Sequence, residues 1–257
     1  MTAPTSYMLE THFIWKEQQD VITIDHTLVN ILIMPEHTKH PTDERLKIAL
    51  LLATNSGFVD AYTFHYHAER FASLQTGNII QAGIALARKD FNGSLSFFMP
   101  ILFFLLGAAF NGMIRHRMTA KKLTSKQHSL LVEIIGISII IAINAHISST
   151  VFITLISFFL AIQLDAFPRV RGLPFTSVMS TGNLRNVGAN LMQYYYTKNP
   201  TALKNVRLFS SIILAFLIGA FLSAFLASYL GQKTLIGSVI ILLSIFFLLF
   251  DHSKENS

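Results

Sequence analysis

The chain has 257 residues, of which 52% are hydrophobic and 13% are charged, and its formal net charge at pH 7 is +6. Soluble domains usually carry about 25% charged residues, so the composition argues against an ordinary soluble protein. Cysteine is absent, which excludes disulfides and thiolate metal or redox sites. A basic excess is typical of cytoplasmic loops in membrane proteins, and we therefore expect no nucleic acid partner.

The chain opens with a polar segment, residues 1–45, in which Glu10, Glu17 and Asp20 interrupt the apolar residues. It lacks the apolar core of a signal peptide, and we expect a soluble N-terminal tail. Beyond it, apolar stretches that approach or reach the length of a membrane span, about 17–25 residues, alternate with short polar joints. Eight helical segments are predicted, at residues 46–67, 71–88, 94–114, 129–147, 150–167, 175–196, 208–230 and 234–250. A C-terminal tail at residues 251–257 completes an all-α, polytopic membrane fold.

Two of these segments carry the same polar motif and indicate an internal duplication. Thr76-Gly77-Asn78 recurs as Thr181-Gly182-Asn183, a spacing of 105 residues from position 76 to position 181. The same spacing relates three further pairs: Asp60 and Asp165, Gln81 and Asn186, and Gly83 and Gly188. We therefore predict a first membrane repeat at residues 46–147 and a second at residues 148–250.

The Lys and Arg residues of the joints bear on whether segments 71–88 and 175–196 cross the bilayer, because short cytoplasmic loops are rich in these residues. If all eight segments crossed, Arg115, Arg117 and Lys126 would lie in an external loop. If the two polar segments enter and leave on one side, these residues and both termini face the cytoplasm. We predict six crossings plus two broken or re-entrant helices, with seven or eight full spans as the alternative. Three crossings per half give an inverted repeat, a common plan among secondary transporters.

Two motifs resemble those of a known family: Gly57-Phe58-Val59-Asp60-Ala61 and, after a short interval, Thr76-Gly77-Asn78. They are similar to motifs of the YoaK-type family of bacterial inner-membrane proteins, which share the domain of unknown function 1275. The second triplet, at Thr181, is similar to a later motif of that family. The resemblance covers roughly residues 46–250. It implies a multi-pass protein of the bacterial inner (plasma) membrane without an established activity, and it supplies no catalytic residues.

Asp60 and Asp165 are carboxylates within predicted membrane segments. A charged group there costs several kcal/mol unless it is paired, protonated or hydrated, so it is a functional candidate by default. We expect these two residues to be proton-coupling groups. The alternative is that each aspartate caps a broken helix or bonds a neighbouring backbone amide.

The Thr-Gly-Asn motifs are candidate binding sites, because glycine permits a backbone break and threonine is a common N-cap. A helix that begins at Thr76 or Thr181 directs free N–H groups into the membrane interior, which favours an anion. Amide side chains continue from each motif along the helix and need protein or water as neighbours. The predicted substrate-binding residues are Thr76, Gly77, Asn78, Gln81, Thr181, Gly182, Asn183, Asn186 and Asn190. The alternative is that the amides join helices by hydrogen bonds.

Two further charged residues admit structural interpretations. Arg185 is placed to neutralise an anionic ligand or pair with Asp165, but an arginine of this kind more often reaches to the membrane interface. Glu133 is expected to form a surface pair with Lys126. His65, His67 and Glu69 follow one another at intervals of two, and residues two apart project to different helix faces, so no metal site is expected.

The leading functional hypothesis is a secondary transporter or permease for a small, anionic solute, with proton coupling as an extension. One alternative is a sensory or scaffolding membrane protein that acts through its N-terminal tail. A lipid-modifying intramembrane enzyme is a weaker one, since no catalytic constellation is present; we therefore expect no enzyme and no cofactor. The expected partners are the lipid bilayer and the solute, and a homo-oligomer is left open.

Overall fold

The computed structural model describes residues 44–117, 123–178 and 180–251, and within them the protein is helical. The α-helices are α1 (Leu46–Tyr66), α2 (Gln75–Ala87), α3 (Phe91–Arg117), α4 (Ser125–Ile143), α5 (Ser149–Ala166), α6 (Ser180–Thr197), α7 (Pro200–Leu230) and α8 (Ile236–Asp251). Short 3-10 turns, Asn144–His146 and Gly231–Leu235, follow α4 and α7. Each predicted helical segment overlaps one of these helices, which confirms the all-α class. Except for Glu44 and Arg45, the predicted N-terminal tail lies outside the described residues.

Four stretches of the described chain are long and apolar enough to cross a membrane: Phe91–Arg117, Ser125–His146, Ser149–Ala166 and Pro200–Leu249. The last of them comprises α7 and most of α8. Helix α1 is more polar because it lies inside the bundle, where Asn55, Ser56 and Thr63 are buried and hydrogen-bonded. The protein is therefore a helical membrane protein with a partly polar central helix.

Local signals in the sequence explain where several helices begin. Thr124 and Gln127 form a capping box before α4, in which each side chain accepts a hydrogen bond from the other residue's backbone N–H. The Ser148 hydroxyl accepts from the Val151 N–H at the start of α5. Asn199 caps α7, whose first residue is Pro200, the position at which proline costs no helical hydrogen bond.

Glycines allow two pairs of helices, α1 with α7 and α3 with α5, to pack closely along their length. A Cβ atom on Gly219 of α7 would lie 2.0 Å from the Thr54 carbonyl oxygen of α1, and one on Gly107 of α3 would lie 2.1 Å from the Phe158 carbonyl oxygen of α5. Further along the first pair, the Tyr66 hydroxyl donates to the Ala227 carbonyl at 3.1 Å. Because contacts on both helices advance together, α1 and α7 run in the same direction.

Helices α1 and α5 run antiparallel. In the middle of α1, the Asn55 side-chain amide donates to the Gln163 oxygen, near the end of α5, at 2.8 Å. Just after α1, the His67 ring stacks on Phe152 in the first turn of α5, with 3.7 Å between ring centroids. As α1 advances, its contacts thus move towards the start of α5.

A buried polar network joins the centre of the bundle. Ser238 of α8 donates to the Asn55 amide oxygen at 2.6 Å, and Asn55 donates to Gln163. The Gln163 amide lies within hydrogen-bond distance of Ser56, at 3.1 Å, and of Ser177, at 3.2 Å. Since buried polar groups are costly unless hydrogen-bonded, this network fixes α1, α5, α8 and the segment before α6 in one arrangement.

Helices α2 and α6 differ from the rest. Helix α2 has 13 residues and is therefore about 20 Å long, shorter than the roughly 30 Å hydrocarbon core. It packs mainly on α3 and leaves Ile79, Ile80 and Ile84 on the surface. Helix α6 packs mainly on α7 and is too polar to count among the candidate spans.

An antiparallel pair of two-residue strands, Arg169–Val170 and Leu173–Pro174, connects α5 to α6. The turn between the strands is held by Glu44, whose carboxylate accepts from the Gly172 N–H at 2.7 Å. The Glu44 carbonyl also accepts from the Arg171 N–H at 2.8 Å. The start of α1 and the end of α5 therefore lie on the same side of the bundle.

Candidate functional site

Asp165 lies at the end of α5, where three helices meet. Its carboxylate accepts a 2.8 Å hydrogen bond from the Asn111 amide and lies 3.4 Å from the Arg115 guanidinium, both on α3. The Asn111 oxygen accepts in turn from the hydroxyl of Ser129 on α4. About a third of the Asp165 side chain, 34%, is exposed, so the carboxylate is both paired and accessible.

A cavity of about 570 Å³ lies beside Asp165, between α3, α5 and the first two turns of α6. Its lining includes Gly182, Asn183, Arg185 and Asn186 of α6. Apolar walls come from α3 and α5, and the segment between α5 and α6 contributes the remaining side. The volume lies in the range typical of small-molecule sites, about 300–1,000 Å³.

A second, smaller cavity of about 200 Å³ lies on the other side of Asp165. It is lined by Arg115, Lys126 and Ser129, among others, and shares Asp165 and Pro168 with the larger cavity. Together the two cavities have three cationic side chains, Arg115, Lys126 and Arg185, against one carboxylate. The excess of positive charge favours an anionic guest.

Four predicted residues of the second repeat line the larger cavity: Asp165, Gly182, Asn183 and Asn186. Asn183 is buried, and its amide also donates to the Thr176 carbonyl at 3.1 Å. Asn190, one turn further, accepts a 3.1 Å hydrogen bond from Asn205 of α7 and so joins two helices. The polar stripe of α6 thus divides into a cavity-lining part and a helix-joining part.

The predicted residues of the first repeat line neither cavity. Asn78 is buried and donates to Gln75 in the first turn of α2, while Thr76 and Gln81 are exposed on the helix surface. Gly77 is half-buried beside Leu74. The two Thr-Gly-Asn motifs therefore have different surroundings.

The expectation that Thr76 and Thr181 act as N-caps is wrong. Helix α2 begins at Gln75 and α6 at Ser180, so each threonine is the second residue of its helix. The residue before α2 is Leu74, which makes no side-chain cap. The helices extend one residue further back because nothing in either motif stops them.

Asp60 is buried in α1 and bonds to the loop that precedes α2. Its carboxylate accepts from the Ser73 backbone N–H at 3.0 Å and from the Ser73 hydroxyl. The two aspartates thus differ: Asp60 holds a loop in place, whereas Asp165 lines two cavities.

Glu133 does not form the expected surface pair with Lys126. Its side chain is fully buried, and neither carboxyl oxygen has a hydrogen-bond partner within the described ranges. Helix α4 packs against both α5 and α8, which removes this face from solvent. Lys126, two turns earlier, lies with its amino group 5.8 Å from the centre of the Phe167 ring.

Arg185 is exposed and lines the larger cavity, while the ion pair with Asp165 is made by Arg115. Sequence reasoning missed Asn111, Arg115 and Ser129 as neighbours of Asp165. An amide within the apolar segment 94–114 was the available signal for Asn111, since such a group needs a polar partner.

The two histidines at the end of α1 have different surroundings. His65 is exposed, whereas His67 is buried and bonds to the Ser149 hydroxyl at 3.4 Å. In the part of the chain that the structure describes, no three His, Cys, Asp or Glu side chains come together as metal ligands.

Comparison with known proteins identifies the family. Residues 48–248 match a family model described as "Protein of unknown function (DUF1275)". No curated protein and no solved structure matches the chain. The match spans nearly all of the helical region and confirms the family expected from the two motifs. The chain belongs to the DUF1275 family.

Proposed function

We propose that the protein is a secondary transporter or permease for a small anionic solute. The observation that carries this proposal is the 570 Å³ cavity, to whose lining a polar helix turn contributes Arg185 and two asparagines. Amide groups and a guanidinium are the donors that a carboxylate or phosphate needs. The neighbouring ion pair of Arg115 and Asp165 adds a guanidinium and a carboxylate whose contacts can change when an anion enters.

Contacts at the helix ends support six crossings by α1, α3, α4, α5, α7 and α8. Arg70, just after α1, lies 3.4 Å from the Ser96 carbonyl and packs over the Phe97 ring, near the start of α3. Helix α3 therefore begins on the side where α1 ends, and α2 leaves and returns on that side. On the opposite side, α5 ends beside Glu44. Helix α7 runs parallel to α1 and therefore starts on that same side. Helix α6, between α5 and α7, thus begins and ends on one side of the membrane.

Packing also supports the inverted repeat. If α1 corresponds to α5 and α3 to α7, the α1–α7 and α3–α5 contacts are equivalent, and both have a glycine at the crossing. The equivalent helices α1 and α5 run antiparallel. Ser73 and Val178, which are 105 positions apart, lie in contact at 3.5 Å, as residues beside a two-fold axis do. We propose that both termini and the basic joints face the cytoplasm of the inner membrane.

Transport by reconstituted protein tests the proposal. We would measure currents and uptake in proteoliposomes after concentration jumps of acetate, lactate, inorganic phosphate and bicarbonate. At least one probe should evoke saturable flux, and Arg185→Ala should raise its half-saturating concentration about tenfold, since a charge-assisted hydrogen bond contributes about 1.5–3 kcal/mol.

Arg88→Ala is the matched control, because Arg88 is an exposed residue at the end of α2, outside both cavity linings. Absence of flux with every probe, or equal effects of the two substitutions, would contradict the proposal. Asp60→Asn with Asp165→Asn tests proton coupling: the double variant should lose the pH dependence of uptake.

A further inference from the structure

Glu133 is a buried acid for which the proposed function has so far given no role. It lies in the middle of α4, fully buried, with both carboxyl oxygens lacking partners in the described residues. Leu130, Ile134 and Ile137 of the same helix are buried beside it in the apolar core. Most intramembrane carboxyl groups that serve only structure have a hydrogen-bond donor, as Asp60 has in Ser73.

An ionised carboxylate at this position would be unfavourable. Burying an unpaired charge in an apolar environment costs many kcal/mol, and translocon scales give about 2.5–3.5 kcal/mol even for a charged residue that can adjust its surroundings. Glu133 therefore holds a proton in the arrangement described. When water enters the surroundings of such a neutral acid, the acid can donate its proton to that water.

A chain of polar side chains that leads to the two cavities begins one helical turn from Glu133. Side chains on a helix lean towards its N-terminus, so the Glu133 carboxyl leans towards Ser129, one turn before it. Ser129 lines the smaller cavity and donates to Asn111, which donates to Asp165. The acid is thus one helical turn from a cavity wall and three side chains from the carboxylate that lines both cavities.

The positive charge near this path lies in the smaller cavity. Arg115 of α3 and Lys126 of α4 line that cavity, and Lys126 lies two turns before Glu133 along the helix. Asp165 is the titratable group of α5, and His128, also on α4, has its ring bonded to the Thr124 carbonyl. Helix α8 offers no titratable side chain over residues 236–249. The positive charge of the cavity therefore favours a carboxylate that its water reaches.

We propose that Glu133 is a proton-carrying residue of the transport cycle, which exchanges its proton with water in the cavity lined by Ser129 and Asp165. In the release step the Glu133 O–H bond breaks, and the proton passes to a cavity water and then to solvent or to Asp165. The carboxylate that remains is stabilised by water from that cavity, which Lys126 and Arg115 also line. The reverse step restores the neutral acid when the cavity closes. The place of this exchange in a cycle rests on the proposed transport function, whereas the exchange itself does not.

Infrared difference spectroscopy of the purified full-length protein in lipid tests the exchange without any solute. The spectrum of wild type minus Glu133→Gln should contain the carbonyl stretch of a protonated carboxylic acid at neutral pH. That band should shift within minutes of transfer to D2O and disappear reversibly at high pH. Glu69→Gln, an exposed acid outside the helices, is the control and should retain the band.

Two outcomes would overturn the inference. One is the absence of a protonated-acid band in the difference spectrum; the other is a band that stays unshifted in D2O for hours while the backbone amides of the loops exchange. Glu133→Leu, checked for folding by size-exclusion chromatography, gives a second variant should the glutamine disturb the core. It should lack the same band.

The transport assay then separates this inference from the proposed function. With an anion probe that wild type carries, Glu133→Gln should retain exchange of internal for external probe but lose accumulation driven by an imposed pH gradient. Equal pH-driven accumulation in wild type and Glu133→Gln would overturn the role in the cycle. Absence of flux in wild type with an exchangeable infrared band would count against transport alone.

Discussion

At the residue scale, Asp60 and Asp165, which are 105 positions apart, illustrate how environment assigns a role. Asp60 lines neither cavity and accepts two hydrogen bonds from Ser73. Asp165 lines both cavities, with a cation and an amide beside it. Identical side chains therefore contribute in different ways, one by holding a loop and one by lining a site.

The hydrogen bonds of Asp60 make a stability prediction. Asp60→Ala leaves the buried Ser73 N–H without its acceptor and should lower the free energy of unfolding by about 1–3 kcal/mol. Asp60→Asn retains one acceptor and should lose less. Thermal unfolding of the purified protein in detergent measures both, with Glu69→Ala as the exposed control. An unchanged melting temperature for Asp60→Ala would contradict the bracing role.

Sequence reasoning located four of the thirteen residues that line the larger cavity and missed the residues that pair with Asp165. The sequence signal was the presence of polar side chains, Asn183 and Asn186, in a membrane segment, where such residues usually mark a functional site. Gly182 belongs to the same motif. The partners of Asp165 come from other helices, and spacing along one helix does not reveal them. Glu133 was misjudged for the same reason: the first turns of α4 look amphipathic beside basic residues, and the neighbouring helices that cover this face are a tertiary feature.

At the element scale, the close helix pairs depend on glycine at the contact. Gly107→Ala places a Cβ 2.1 Å from the Phe158 carbonyl oxygen, a backbone atom that cannot turn aside. Overpacking of this kind costs about 1–3 kcal/mol, so the variant should melt at a lower temperature.

Gly112, on the same helix, provides the matched control. A Cβ added there meets no atom within 4 Å, and alanine is the better helix former by about 0.5–1 kcal/mol. Gly112→Ala should therefore melt at the same temperature as the wild type or above it. Equal destabilisation by both substitutions would show that the α3–α5 contact is looser than described.

The positions of the helices were predictable because long apolar stretches mark the helices and polar joints mark where they end. Helix α1 begins at Leu46 as predicted, and α6 ends one residue beyond its prediction, at Thr197. The strand pair before α6 was not foreseen, since two-residue strands leave no periodic pattern. Its position is set by Glu44, which is 128 residues away in sequence from Gly172. Contacts over such distances are beyond any local pattern.

At the scale of the whole molecule, the proposed topology has a direct test. The protein lacks cysteine, so single cysteines can replace Lys89, Arg171, Lys198 or Lys233. A membrane-impermeant thiol reagent should label the Lys89 and Lys233 positions in intact cells. The Arg171 and Lys198 positions should label only after the membrane is permeabilised, because they follow α5 and α6 on the opposite side.

The alternative of eight spans gives a different pattern. If α2 crossed the membrane, position 89 would lie inside, and labelling there would need permeabilisation. With all eight segments crossing, position 171 would lie outside and would label in intact cells, while position 198 would stay inside. Either result would remove the inverted arrangement and with it the main structural support for transport.

The antiparallel contact between α1 and α5 bears on descent. Under the proposed duplication these helices derive from one ancestral helix. Their contact therefore corresponds to the packing of two copies of that helix in opposite orientations. The ancestral half must then have inserted into the membrane both ways round. Such a protein needs loops in which Lys and Arg are spread evenly between the two sides, because an excess on one side fixes the orientation of the protein in the membrane. The arginines and lysines now gathered near Asp165 and the strand pair would have accumulated after fusion, when each half required a single, opposite orientation.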